Sequence, residues 1–598
     1  MAKDSKKLIR YTNRDFDSIK DGLLQYAKRY YPNVHKDFSE ASFGSMMLDT
    51  VAYVGDVLSF YLDYQANESF VDTAIEYDNV LRLGQQVGYK EALRANAFGL
   101  VSLYVLVPSD PVGTGPDSNY IPILAKDTKV STPGGNIFTL IENVDFSNPN
   151  NEVVVATSDS DDGSPTSFAI KAYGKVMSGE LKEEFYTVGD FARFLNVPLG
   201  DANITEVVSV TDTEGHEYFE VPYLSQDTVF RSVVNKDSNT RERVPSVLVA
   251  TSVPRRYTVF VESGRTNLKF GYGSESSLKS DLMTHPSNVV LKMHGRDYET
   301  DNSFDPSKLL ESDKFGIAPA NTTLRIVYRS NTNKKANAPV KTLTNISNTL
   351  LIFGDQATNQ TKVNFVKDSL ECINEEPVVG DVSPPSLEEL RQRVNDTFAT
   401  QNRAVTADDY IALVYRMPGQ FGKIKRAKLI RDHDSFKKNL NLYVVSEDSE
   451  QNLIQSSTIL KNNIKTWINQ YRMINDTVDI LDARIFNIGI NFTAVVNYDQ
   501  EKFEALNIAL TTLQEMFVEK FDVGQPIYIT KIYDVLNQLD EIVDVVDVEI
   551  VNKTGGLYSD NSLDLNHFTS ADGRILYAPE NAIYEFKYPD LDFQGTIR

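Results

Sequence analysis

The stretch Phe43-Gly-Ser-Met-Met-Leu-Asp-Thr-Val-Ala-Tyr-Val-Gly-Asp-Val-Leu-Ser-Phe-Tyr-Leu-Asp-Tyr64 decides how the first part of the chain is read. Phe43, Met47, Val51, Val54, Leu58 and Tyr61 recur at steps of four, four, three, four and three, which lines one face of an α-helix. Met46, Tyr53, Val57, Phe60 and Tyr64 step by seven, four, three and four and line a second face. A helix that is apolar on two sides needs more than one neighbour, so it belongs inside a bundle. Two further helices flank it, over 15–30 and about 73–86, and Thr12 with Asp15 offers the first of them an N-cap. Neither is long or apolar enough to cover both stripes. The missing cover is either the protein's own next domain or another chain, and the pattern leaves both open.

Downstream, the period changes from 3.6 to two. Runs at 101–107, 152–155, 205–210, 257–262 and 323–328 alternate or are β-branched and are separated by Gly, Pro, Asn and Asp, which predicts β-rich domains with insertions over 96–350. The tract Asp159-Ser-Asp-Asp-Gly-Ser-Pro165 reads as a solvated loop, and the polar stretch 331–348 as a linker. Ser386 with Glu389, and Thr406 with Asp409, form capping boxes that open helices over 387–398 and 408–416 within a linker region, 351–425. From 426 to 555 the order strand, strand, helix, strand is followed by strand, helix, short helix, strand, which predicts tandem split βαβ (ferredoxin-like) units with an edge strand open to a second copy. Residues 556–598, rich in Asp, Asn, Gly and Tyr, read as an extended arm. The expected class is multidomain α+β: an N-terminal helical segment over 1–95, central β-rich domains, and a C-terminal α+β region.

Composition excludes several functions. With 60 Lys and Arg against 83 Asp and Glu, the net charge is -23, which repels a phosphate backbone, so nucleic acid is not an expected partner. No run approaches the roughly 18–20 apolar residues of a membrane-spanning helix. The charged Met-Ala-Lys-Asp-Ser-Lys-Lys start carries no apolar segment behind it, so synthesis in the cytoplasm is expected. The lone Cys372 has no partner for an intramolecular disulfide and sits in no catalytic signature.

A search for chemistry finds little. None of His35, His216, His285, His294, His433 and His567 forms the His-Glu-x-x-His pair of a zinc protease, and no phosphate-cradling loop occurs. Phe270-Gly-Tyr-Gly-Ser-Glu275 lacks the third glycine of a dinucleotide site and reads as a turn. The 159–163 tract lacks the twelfth-position carboxylate of a calcium loop. Abundant carboxylates alone assign no acid–base pair. No catalytic residue, cofactor or metal is therefore expected. One basic cluster stands out, Lys423, Lys425, Arg426, Lys428 and Arg431. It reads either as a solvated strand face or as a docking patch for an acidic partner, such as a second copy of this chain.

Taken together, several of these segments resemble the baseplate wedge (baseplate J-like) proteins of contractile-tailed bacteriophages. The resemblance rests on Asp15-Phe-Asp-Ser-Ile19, Asp37-Phe-Ser-Glu-Ala-Ser-Phe-Gly44, Ala52-Tyr53, Tyr61-Leu62-Asp63, Glu68-Ser-Phe70, Gly88-Tyr89 and Leu268-Lys-Phe-Gly271. Its most specific part is Ser386-Leu-Glu-Glu-Leu-Arg391 followed by Arg403-Ala-Val-Thr-Ala-Asp-Asp-Tyr410. The middle β region departs most from the family pattern.

The resemblance implies a virion structural protein of the tail baseplate with no enzymatic role. Two copies would join another baseplate wedge subunit in a 2:1 heterotrimer through an N-terminal core bundle. The region 426–555 would act as a dimerisation and ring domain that links wedges around the hub, near sheath-initiating and hub-proximal baseplate proteins, and the ring would rearrange on sheath contraction. Under it, Phe43, Met46, Met47, Val51, Tyr53, Val54, Val57, Leu58, Phe60 and Tyr61 become core-bundle residues. A homotrimeric tail-fibre or carbohydrate-binding adhesin is the alternative, motivated by Tyr-rich strands and loops. A tail-associated glycan hydrolase rests only on the number of acids.

Overall fold

A computed structural model describes residues 9, 12, 15–31, 42–90, 94–110, 115–158, 164–226, 228–234, 246–262, 264–274, 315–331, 333, 335–401, 403–432, 439–473, 475–496 and 501–598. His35, His285, His294, His433 and the 159–163 loop lie outside the described residues. Helices come first, β-rich sheets follow, and mixed α/β elements close the chain, so the protein is a multidomain α+β protein. It divides into two compact units, Met1–Glu91 with Pro384–Asn402, and Ala92–Ser383 with Arg403–Arg598.

The first unit is helical: α1 (Phe16–Tyr30), α2 (Phe43–Asn67), α3 (Tyr77–Gln86) and α4 (Leu387–Thr400). The cap of α1 differs from the expectation built on Thr12. Asp15 is the N-cap, its carboxylate accepting the Ser18 amide at 3.0 Å while the Ser18 hydroxyl accepts the Asp15 amide at 3.1 Å. Thr12 instead gives its amide and hydroxyl to the two Asp63 oxygens at 2.9 and 3.0 Å, pinning the chain before α1 to the far end of α2. Ser386 caps α4 by accepting the Glu389 amide at 3.4 Å, but the reciprocal half of the expected box is not made: the Glu389 carboxylate pairs with Arg393 at 2.6 Å. That helix packs away from its sequence neighbours, closing with α3 over a small core of Ala74, Val80, Leu81, Tyr89, Leu390 and Val394.

In the second unit, β1 (Phe98–Pro108) pairs antiparallel with β2 (Pro165–Ser178) at the centre of a seven-stranded sheet. Val101, Leu103, Val105 and Val107 point to one face at the period of a strand and are fully buried against the helix Gln360–Asp368 and neighbouring loops. The polar stretch 331–348 is not a free linker. Ala336, Ala338 and Leu343 are buried in this core, and asparagine side chains satisfy the backbone around them.

A second seven-stranded sheet contains β3 (Glu180–Val188), β4 (Ile204–Thr211) and β5 (Thr322–Ser330), with β5 between the other two. The chain turns from β2 into β3 at Gly179, whose φ is +89°. A Cβ there would stand 2.8 Å from the Ser330 carbonyl oxygen, so both conformation and space require glycine. Arg329, almost fully buried, fixes the corner: Nε pairs with Glu206 at 2.8 Å, and Nη1 donates to Thr139 at 2.6 Å and to the Gly179 carbonyl at 3.3 Å.

The C-terminal part has two adjoining α/β layers. In one, β6 (Arg426–Arg431) and β7 (Leu440–Glu447) are antiparallel, and α6 (Thr458–Ile468) connects β7 to its direct parallel neighbour β8 (Val478–Asp482). The helix α5 (Ala407–Tyr415) packs here too, with Leu413 and Val414 against Leu442, Val444, Leu460 and Ile464. In the other, β9 (Arg484–Val496) pairs antiparallel with β10 (Ile542–Asn552), and α7 (Lys502–Met516) and α8 (Ile529–Asn537) lie between them in sequence.

The tail, 556–598, is not an extended arm. It supplies β11 (Ala582–Glu585) and β12 (Phe593–Ile597), both parallel to β9. The reason is aromatic: the Phe586 and Phe593 rings pack tilted with centroids 4.8 Å apart, and Phe517 lies 4.8 and 6.0 Å from them, so the tail buries rings that would otherwise face water.

Candidate functional site

The α2 helix spans 25 residues, about 37 Å at 1.5 Å per residue, and its first turn is capped by Ser42 accepting the Ser45 amide at 3.1 Å. Its buried residues are small or polar: Ser45, Ala52, Ser59 and Asn67, the first three one heptad apart. This stripe lets α1 approach closely. At Gly55 a Cβ would meet Ile19 at 3.2 Å, and Lys20 pairs with Asp49 at 2.8 Å. The contacts run Thr12 to Asp63, Ile19 to Gly55 and Lys20 to Asp49, so the two helices are antiparallel.

Both apolar stripes consequently face outward. Phe43, Met46, Met47, Val51, Tyr53, Val54, Leu58, Phe60 and Tyr61 are each at least half exposed, with Phe43 at 73%, Tyr61 at 62% and Leu58 at 58%. Val57 is half-buried. Neither local helix covers them, since α1 occupies the small-residue face and α3 packs with α4. Nine large side chains at this exposure amount to on the order of 700 Å² of apolar surface. That exceeds the roughly 300–600 Å² of the largest patch on an ordinary monomer and is close to the ~800 Å² each partner contributes to a standard interface.

The end of α2 is held firmly. Asn67, buried, donates to the Ile9 carbonyl at 2.9 Å and accepts the Ile9 amide at 3.2 Å. Next to it the Glu68 carboxylate accepts the Ile75 amide at 2.7 Å and the Asn79 side chain at 2.9 Å, serving the free amides before α3, whose own N-cap residue Glu76 makes no side-chain cap. Burial alone would raise the Glu68 carboxyl, but the Asn79, Ile75 and Glu76 donors and the Arg391 charge hold it below its usual value. Arg391 donates to the Ala74 carbonyl and pairs with Glu388, joining α4 to the same corner.

The basic cluster does not form one surface. Lys425 turns inward to Ser383 and to Glu447, 3.5 Å away. Its neighbour Arg426, on the opposite side of the strand, pairs with Asp522 at 2.9 Å and donates to the carbonyls of Lys520 and Phe521. Lys423 is half-buried near Asp381, Lys428 lies against the Gly524 turn, and Arg431 is exposed at the strand end. The cations at 425 and 426 are thus spent on acids and carbonyls from distant segments, which a count of charge in sequence does not register.

Cys372 is buried and its thiol donates to the Leu343 carbonyl at 3.4 Å; burial, with Glu371 beside it, pushes that thiol up to about 12. Among the described residues, no group of three or more His, Cys, Asp or Glu side chains could hold a metal ion. No helix among them is long and apolar enough to cross a membrane. The close-packing face Ser45, Ala52, Ser59 is the feature of α2 that hydropathy missed. A heptad of small residues is the signal that could have found it.

Residues 15–86, well under half of the chain, match the family model for the bacteriophage baseplate protein, N-terminal domain. This match supports a baseplate protein, and it covers α1, α2 and α3 but not α4. No curated protein matches the chain in sequence. Among solved structures, a chain of the anti-feeding prophage (AFP) baseplate, 6-fold symmetrised, is similar at 9% identity and a TM-score of 0.27, covering 96% of this chain and 98% of that one. A chain of the type VI secretion system TssK-TssF-TssG baseplate subcomplex is similar at 9% identity and a TM-score of 0.23, covering 74% and 96%. TM-scores of this size assign neither fold nor function.

Proposed function

We propose that this chain is a non-enzymatic wedge subunit of a contractile-tail baseplate, located in the virion and made in the host cytoplasm. The observation that carries the reading is the outward apolar face of α2, lying inside the segment that matches a baseplate N-terminal domain. Its two seams are the joining surface of a core bundle, in which two copies of the chain clasp one copy of another wedge subunit. The 426–555 region makes the ring contacts between wedges, near hub-proximal and sheath-initiating proteins, and rigid domains shift about their connections when the sheath contracts.

The test is mass by light scattering after size exclusion, for the chain alone and co-expressed with adjacent structural genes. A heteromer with two copies of this chain per partner supports the wedge. A stable homotrimer indifferent to its neighbours overturns it in favour of a fibre or adhesin component.

A further inference from the structure

Residues 378–383 are gripped from two sides within the larger unit. Toward the first sheet, Val378 bridges Ala338 and Val379 bridges Phe98. Toward the C-terminal layers, the Lys423 amide donates to the Gly380 carbonyl at 2.8 Å, and the Ser383 amide and hydroxyl donate to the Glu447 carboxylate at 3.0 and 2.9 Å. Asn337 ties the two sides together. Its Nδ2 donates to the carbonyls of Asp381 and Glu447, each at 2.6 Å, and its Oδ1 accepts the Asp381 amide at 3.0 Å. One residue later, at Pro384, the chain passes into the other compact unit, so this grip anchors the point of departure.

Two carboxylates are enclosed in the grip, and they are unequally served. Glu447, 2% exposed, receives both Ser383 donors and stands 3.5 Å from the Lys425 ammonium. The carboxylate of Asp381, 9% exposed, accepts the Ala336 amide at 3.0 Å. The charges facing Asp381 are Arg94 and Lys423, which favour its ionised form, and Glu447, which opposes it. A proton on Asp381 removes a buried charge that Glu447 opposes, and leaves Glu447 with Lys425.

We propose that the Asp381 and Glu447 carboxylates form a proton-operated clamp on residues 378–383, tight when Asp381 is protonated and loosened when it is ionised. Burial pushes the Asp381 carboxyl up to about 6 against the Ala336 amide, Arg94 and Lys423, with Glu447 adding to the push. The folded value therefore lies above the ordinary 3.8. The clamp's extra stability is complete below that ordinary value and is lost as pH rises through about 6. At neutral pH the anchor of the connection is held in its weaker state.

The test is hydrogen exchange on the full chain at pH 5.0 and 7.5, corrected for intrinsic rates and referenced to amides of the first sheet core. The amides of Ala336, Asp381, Ser383 and Lys423 should open roughly tenfold more readily at the higher pH, and Asp381→Asn should bring that ratio close to one. Opening that ignores pH in the unmodified chain, or a pH ratio that survives Asp381→Asn, overturns the clamp. Lys423→Gln provides a second arm that does not depend on how Asp381→Asn folds. Loss of this cation should move the opening midpoint to higher pH, and an unmoved midpoint is equally damaging.

Discussion

Leu58→Asp separates a helix face built for the protein's own core from one built for a partner. Leu58 is 58% exposed, so in the isolated chain the change should cost within about 0.5 kcal/mol. Against a partner helix the same site loses the remaining half of a leucine burial, roughly 1–2 kcal/mol, and encloses an unpaired carboxylate for several more. A combined loss of about 4 kcal/mol corresponds to roughly a thousandfold weaker association. Ala52→Leu is the mirror experiment: Ala52 is fully buried on the α1-facing stripe, and overpacking there should cost the isolated chain about 1–3 kcal/mol. Light scattering of the co-expressed complex and denaturant unfolding of the isolated chain read the two effects. Undiminished assembly of Leu58→Asp, or unfolding of the isolated Leu58→Asp chain at the denaturant level that unfolds Ala52→Leu, refutes the reasoning.

Gly179→Ala forces a side chain into positive φ against the Ser330 carbonyl and should lower the denaturation midpoint by the equivalent of about 1–3 kcal/mol. Arg329→Met leaves Glu206 without its partner and Thr139 without a donor at the corner between the sheets; equilibrium unfolding should show a loss of roughly 3–5 kcal/mol. Glu68→Gln weakens the charged cap of the Ile75 and Asn79 donors by about 1.5–3 kcal/mol. Because the folded Glu68 value is lowered, that contribution is present at neutral pH and lost as pH falls below 4.5 through the folded value, so acid unfolding of the unmodified chain and of Glu68→Gln should converge.

Features encoded by local periodicity or by residues three apart were legible in the sequence. The two stripes of α2, the Ser386 cap, the Thr406–Asp409 box and the alternation of β1 follow from side-chain direction alone. The face of α2 that meets α1 was not, because Ser45, Ala52 and Ser59 act by allowing approach and contribute little hydrophobic signal. The pairing of α3 with α4 joins segments some three hundred residues apart, and nothing in either helix names the other. The tail misled in a similar way: Tyr584, Phe586 and Phe593 are separated by polar turns, and their strands are short enough that only pairing with β9 defines them. At the basic cluster, charge was visible but its consumption was not, since Asp522 and Glu447 reach Arg426 and Lys425 from elsewhere in the chain.

The discontinuity of the helical unit sets a timetable for the nascent chain. α3 leaves the ribosome complete at Gln86, whereas its packing partner α4 is not finished until Thr400. At about 5–20 residues per second, the interval is roughly 15–60 s. Throughout it, Val80 and Leu81 lack the Leu390 and Val394 side chains that close over them, while the sheets of the larger unit are being synthesised. A segment made before the sheets therefore matures only after them, and a chaperone holding it until residue 400 emerges would protect the apolar side chains it exposes meanwhile.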